Sequence, residues 1–214
     1  MSSRGIQLIE EEAAVELQHV NIKLLLKSPE SINLETVVPV FHSWIQEQVA
    51  EELLLDVASY AHVPNGPGVL LIGHEADYSL DATDGRLGLR YNRKAPVEGS
   101  NQERLKQAAR AVLKALARLE QDARLNGKVQ FDGKNIELFI NDRLLAPNNE
   151  ETRQAVEPEL RGFLDTSLAR SGYSLQYEPE PRRLLGVRIQ FEQELTVKEL
   201  LHNLDQTASH HAGL

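Results

Sequence analysis

Between Tyr60 and Tyr91 stand His62, His74, Glu75, Asp77, Arg86 and Arg90, the densest polar run on any stretch that reads as strand. A histidine held beside a carboxylate can carry a proton or grip a ligand or metal, provided both side chains point to one side. Strand parity therefore comes before any chemistry, because successive side chains face opposite ways. With residues 68–80 read as one strand, Leu70, Ile72, His74, Ala76 and Tyr78 share one face. Val69, Leu71, Gly73, Glu75 and Asp77 share the other.

The short loop 81–84 suggests pairing Tyr78 with Leu87, Ala76 with Leu89 and His74 with Tyr91. One parity choice fixes all the other pairs, here Glu75 with Arg90 and Ser79 with Arg86. The turn Pro64-Asn65-Gly66-Pro67 then brings Asp56, Tyr60 and His62 onto the Glu75 side. The candidate ligand-binding set is thus Asp56, Tyr60, His62, Glu75, Asp77, Arg86 and Arg90. Set against it is a solvated sheet face with cross-strand ion pairs, which needs no function. His74 reads as a core histidine bonded to Tyr91, and Tyr60 as cover for the bare Gly73.

No metal site is expected. No two histidines have i, i+4 spacing, and Glu75 with Asp77 near His62 is an incomplete ligand set. His202, His210 and His211 sit in or beside the tail, where catalytic geometry is hard to hold. No Walker, Rossmann or Gly-x-Ser-x-Gly pattern occurs, and the glycine-rich 64–68 loop joins two strands instead of opening a helix. No cofactor is expected. An enzyme would have to use His62 with Asp56 or Glu75 as acid and base, and no catalytic residue can be named beyond that.

These residues must be held by the elements around them, and the chain states those elements twice. Asn21-Ile22-Lys23-Leu24 recurs as Asn135-Ile136-Glu137-Leu138, 114 positions on. Pro39, Phe41, Trp44 and Ile45 match Pro158, Leu160, Phe163 and Leu164, and Gly68-Val69 matches Gly186-Val187. Self-similarity at one long period indicates a duplicated supersecondary unit. The first unit reads as a strand over 15–27, a helix over 33–48 capped by Asn33 with Pro39 kinking or delaying it, and strands at 53–63, 68–80 and 86–93. A helix follows from Ser100, whose spacing to Glu103 is that of a capping box, to Asn126-Gly127. The second unit has a small hairpin at 129–133, its opening strand, a helix over 150–169, strands at 173–178 and 184–192, and a helix boxed by Thr196 and Glu199.

The predicted fold is α+β: two related β-α-β-β-α units sharing an antiparallel or mixed sheet, with helices packed on one face. Its parts are a loose arm at 1–14, units at 15–126 and 127–206 packed as one domain, and a disordered tail at 207–214. Across 214 residues the formal net charge is −9, which argues against a nucleic-acid partner. Zero cysteines exclude disulfides and thiolate chemistry, and no signal peptide or membrane-length apolar run is read, so the expected location is cytoplasmic. The expected function is a non-catalytic binding or interaction module, with a small-ligand or partner cleft between the units. A self-associating scaffold is the other alternative, pairing through the helix 101–124 with its apolar Leu113 and Leu116. Trp44 reads as a core or interface anchor.

Overall fold

The computed structural model describes residues 15–168 and 172–211, with side chains as far as Gln206. The arm expected at 1–14 lies outside the described residues. So does the end of the expected tail, while the backbone of α4 (Val197–His211) is helical to His211.

Eight strands form one sheet in the order β2-β3-β4-β5-β1-β6-β8-β7, and all seven neighbouring pairs are antiparallel. They are β1 (Val20–Leu26), β2 (Leu54–Tyr60), β3 (Gly68–Gly73), β4 (Ala76–Asp81), β5 (Gly88–Arg93), β6 (Phe131–Ile140), β7 (Tyr173–Tyr177) and β8 (Leu185–Phe191). Three further helices are α1 (Val38–Glu47), α2 (Asn101–Gln121) and α3 (Glu150–Phe163). The class is therefore mixed α and β.

Each helix starts where local chemistry lets it. Asn33 caps a 3-10 turn, and α1 begins only after it, with Pro39 in the first turn where its missing N–H costs nothing. Ser100 and Glu103 exchange both bonds of a capping box ahead of α2, and Thr196 with Glu199 does the same ahead of α4. Leu105, Ala108, Val112, Leu116 and Leu119 give α2 a fully buried stripe. Burying each leucine contributes roughly 1.5–3 kcal/mol. Leu113 and Leu116, on which self-association would rest, are inside this core. Ala109, Val112 and Leu113 meet Ile22, Leu24, Ile136 and Leu138, so the even-numbered residues of β1 and β6 point towards α2.

Three expectations are corrected. The strand expected at 68–80 is two strands, because the chain reverses at His74-Glu75. At Gly73 a side chain would strike the Ala76 carbonyl oxygen at 2.4 Å, so only glycine permits the close approach that closes this turn. The reversal flips parity: Val69 and Leu71 join Ala76, Tyr78 and Leu80 in the core, while His74 is exposed in the turn and is no core histidine.

The β4–β5 register also differs by four residues, with Tyr78 opposite Tyr91 and Ser79 opposite Arg90. β4 runs on to Asp81, and a 3-10 turn follows in which Asp84 and Gly85 take positive φ, so the connection is longer than the expected loop. An even shift leaves every side chain of β5 on its expected face. Finally, 129–133 makes no hairpin. Gly133, at φ 85°, lies in a bulge of β6, where Asp132 accepts the N–H groups of Lys134 and Asn135.

Candidate functional site

One cross-strand row organises the face turned away from α2. Reading across six neighbouring strands, Ser79, Arg90, Lys23, Glu137, Arg188 and Gln176 stand opposite one another in turn. The alternation that puts the even-numbered Ile22 and Leu24 in the core forces Lys23 outward, and the same holds for Glu137 between Ile136 and Leu138. Lys23 and Glu137 occupy the middle of the row, only 2% and 3% exposed.

Two glycines hollow the sheet beside this row. A side chain at Gly88 would meet the Lys23 Cγ at 2.9 Å, so its absence makes room for the lysine stem. Gly186, opposite Phe139, leaves space in which the phenylalanine ring lies over it, and a side chain there would touch that ring at 3.0 Å. The result is a basin of about 270 Å3 above Phe139, continuing into a smaller hollow of about 90 Å3 beside Arg188. The 82–87 connection and the segment 178–184 form its two rims. Arg183 bridges them, pairing with Asp84 on one side and with Glu178 at 3.3 Å on the other.

The charges are arranged unequally. Lys23 Nζ donates to Asp81 Oδ1 at 2.6 Å, and Asp81 also accepts from Thr83 N and Oγ1, so this pair is saturated. Glu137 Oε1 is 2.8 Å from Arg86 Nη1 and 3.6 Å from Arg188 Nε, yet none of these contacts has hydrogen-bond geometry. Burial pushes the Glu137 carboxyl above the usual carboxylate range, against the pull of Arg86 and Lys23. The Arg90 guanidinium lies 5.4 Å from the Phe139 ring centroid, a cation–π stack, and 3.8 Å from Asp81. Seven cationic side chains and four carboxylates line the two hollows, a local positive excess in a chain of negative net charge.

Of the seven residues expected to share a site, Arg90 lines this basin and Arg86 the hollow beside it. Asp77 instead ties down the β3–β4 turn, accepting from Lys94 Nζ at 2.7 Å and Gly73 N at 3.3 Å. Glu75 is in that turn, 3.8 Å from Arg93 and nowhere opposite Arg90. Asp56 and Tyr60 lie on the edge strand β2, where Asp56 accepts the N–H of Val57 and Tyr60 stands opposite Gly68, not Gly73. His62 is exposed in the turn after β2 and makes no ion pair with Asp56 or Glu75. Among the described residues no three histidines or carboxylates converge as metal ligands, and no helix is long and apolar enough to cross a membrane.

Lys23, Asp81, Glu137, Phe139 and Arg188 were missed. A signal for three of them was present: Gly88-Leu89-Arg90 resembles Gly186-Val187-Arg188, and each triplet pairs with an opening strand 114 positions from the other's, through Lys23 or Glu137. No protein-family model matches the chain, and no curated protein is significantly similar to it.

Proposed function

We propose that this chain is a non-catalytic cytosolic binding module that takes a small anionic molecule, such as a phosphate monoester or a di- or tricarboxylate, in the basin at the β1–β6 seam. The observation that carries this reading is the state of the basin's arginines. Arg143 and Arg182 line it with no ion pair to any described residue, and Arg90 approaches Asp81 only at 3.8 Å. Guanidinium groups are strong, directional partners for carboxylate and phosphate, and those spent on internal pairs are unavailable. The volume suits a ligand below drug size.

The reading extends to architecture. The chain consists of two related units, with the helices packed on one face and the ligand on the other, at the seam. Support comes from the register: Lys23 faces Glu137, and these positions are separated by the same 114 residues as the sequence echo. An approximate twofold axis between them relates β1 to β6, β5 to β8 and β4 to β7. The first unit carries two further strands, β2 and β3. In this pairing Gly186-Val187 corresponds to Gly88-Leu89, not to Gly68-Val69.

Calorimetric titration with glycerol phosphate and citrate, and with choline as a cationic control, tests the proposal. The anions bind saturably, choline does not, and Arg90→Ala weakens the anions about tenfold or more. Absence of binding by both anions at millimolar concentration and low salt would end this reading.

A further inference from the structure

A second concavity, larger than the basin, lies on the α2 side of the sheet, between the end of α1, residues 49–52 and the outer face of α2. Its volume is about 560 Å3, within the ordinary range for small-molecule sites. At its floor is Glu52, 3% exposed. Its Oε2 accepts from the Tyr78 hydroxyl at 2.9 Å and its Oε1 from the Tyr91 hydroxyl at 2.8 Å, while Gln107 Nε2 donates to the Tyr91 oxygen at 2.8 Å.

This carboxylate differs in kind from the two buried in the basin. Asp81 and Glu137 have cations within 4 Å, whereas among the described residues no lysine, arginine or histidine nitrogen comes that close to Glu52. Arg93, next to Tyr91, pairs with Glu75 instead. A carboxylate offers about four acceptor positions, and the two tyrosines occupy two. A buried carboxylate without a countercharge is costly, so the remaining positions favour a cation brought from outside. Burial first, and then the charge of Glu52, push both phenols upward, so they remain donors throughout the working pH range.

Two aromatic residues line the groove, Trp44 and Tyr78, of the kind whose rings attract an organic ammonium. The rim carries cations as well as the carboxylates of Glu51 and Glu103. Lys106, Arg110, Lys114 and Arg118 repeat every four residues along α2 and so share one side of the helix. Three of them are matched: Arg110 with Asp205 at 3.1 Å, Lys114 with Glu51 at 3.0 Å and Arg118 with Glu47 at 3.6 Å. Lys106 has no carboxylate within ion-pair distance among the described residues; Glu103, one turn before it and bonded to Ser100, acts on it only from further off.

We propose that the groove between α1 and α2 binds a zwitterionic small molecule, its ammonium group at Glu52 beside Trp44 and Tyr78 and its anionic group at Lys106. A ligand with only a cation gains nothing from Lys106. One with only an anion leaves Glu52 uncompensated and gains a single half-buried lysine. This site is on the opposite side of the sheet from the basin, and neither proposal depends on the other.

The chain has one tryptophan, and it lines this groove, so its fluorescence is a local probe. Titration with ω-amino acids from glycine to 8-aminooctanoate produces a saturable change in Trp44 emission for at least one length. Alkylammonium and alkanoate ions of the same length bind about tenfold or more weakly. Lys106→Ala weakens the zwitterion several-fold and does not weaken the alkylammonium, while Arg90→Ala in the basin leaves the emission response intact. Glu52→Gln abolishes it. Should that variant fail to fold, Lys106→Ala decides. The proposal falls if no amino acid in the series changes the emission, if either one-ended ion binds as tightly as the zwitterion, or if Lys106→Ala has no effect.

Discussion

Lys23 and Glu137 face each other across the seam of the sheet, equally buried, and the molecule treats them differently. The lysine has a short, hydrogen-bonded carboxylate that is itself bonded to Thr83. The glutamate has arginines near it at poor angles, and its Oε1 has no hydrogen-bond donor. Low dielectric strengthens a well-aligned pair and penalises an incomplete one, so the first arrangement holds the fold while the second leaves polar capacity unused. The contrast is between a charge closed off by its own partner, Lys23 with Asp81, and a buried carboxylate, Glu137, that keeps an acceptor atom without a donor.

The largest effect should come from breaking the closed side. Lys23→Met leaves Asp81 buried without its ammonium, and the stability measured by urea unfolding should fall by about 3–5 kcal/mol. A loss under about 1 kcal/mol would mean that the pair holds nothing.

The same glycine-to-alanine change in each half comes next. At Gly88 the new methyl would meet the Leu24 carbonyl oxygen at 2.6 Å as well as the Lys23 stem, whereas at Gly186 it meets the Phe139 ring and the Glu178 Cβ. Backbone cannot yield as a ring can, so Gly88→Ala should cost about 1–3 kcal/mol and Gly186→Ala less than about 1. Equal costs would remove the distinction between the two hollows.

A third test uses pH. Glu137 titrates above its unfolded value of 4.5 because burial disfavours the charged form. The folded state therefore holds this proton more tightly, and its contribution to stability is complete below the unfolded pKa and declines as pH rises through the folded one. Glu137→Gln should flatten that segment of the stability curve relative to the unaltered protein, with unfolding followed in steps from pH 4 to 8. Identical slopes would show that burial does not disfavour the charged form of Glu137.

The smallest effect belongs to the rim. Arg183→Ala removes the exposed bridge to Asp84 and Glu178 and should cost roughly 0.2–1 kcal/mol, less at high salt. A cost of several kcal/mol would make the bridge part of the core frame.

Much of the local structure was legible. Ser100 with Glu103 and Thr196 with Glu199 announced two helices, and alternation in 20–26 and 135–140 announced β1 and β6, because caps and periodicity act over a few residues. The turn at His74-Glu75 was illegible for an equally local reason. Neither residue takes a positive φ, so the turn needs no glycine or asparagine, and only Gly73 hints at it. Missing it flipped the parity of β3 and placed Glu75 and His62 together on paper. Arg86 and Arg90 were placed on the correct face despite a wrong register, since an error of four residues preserves parity.

The sequence by itself determined where α2 and α4 begin, which residues of β1, β4, β5 and β6 face inward, and that Asn21-Ile22-Lys23 has an echo at Asn135-Ile136-Glu137. Only the tertiary structure decided that those two strands are neighbours. Side-chain alternation is a property of one strand, but pairing is a contest among all eight edges. Its outcome set Lys23 against Glu137, joined Arg90 to Phe139 across the seam, and so made a basin from residues more than a hundred positions apart in the chain.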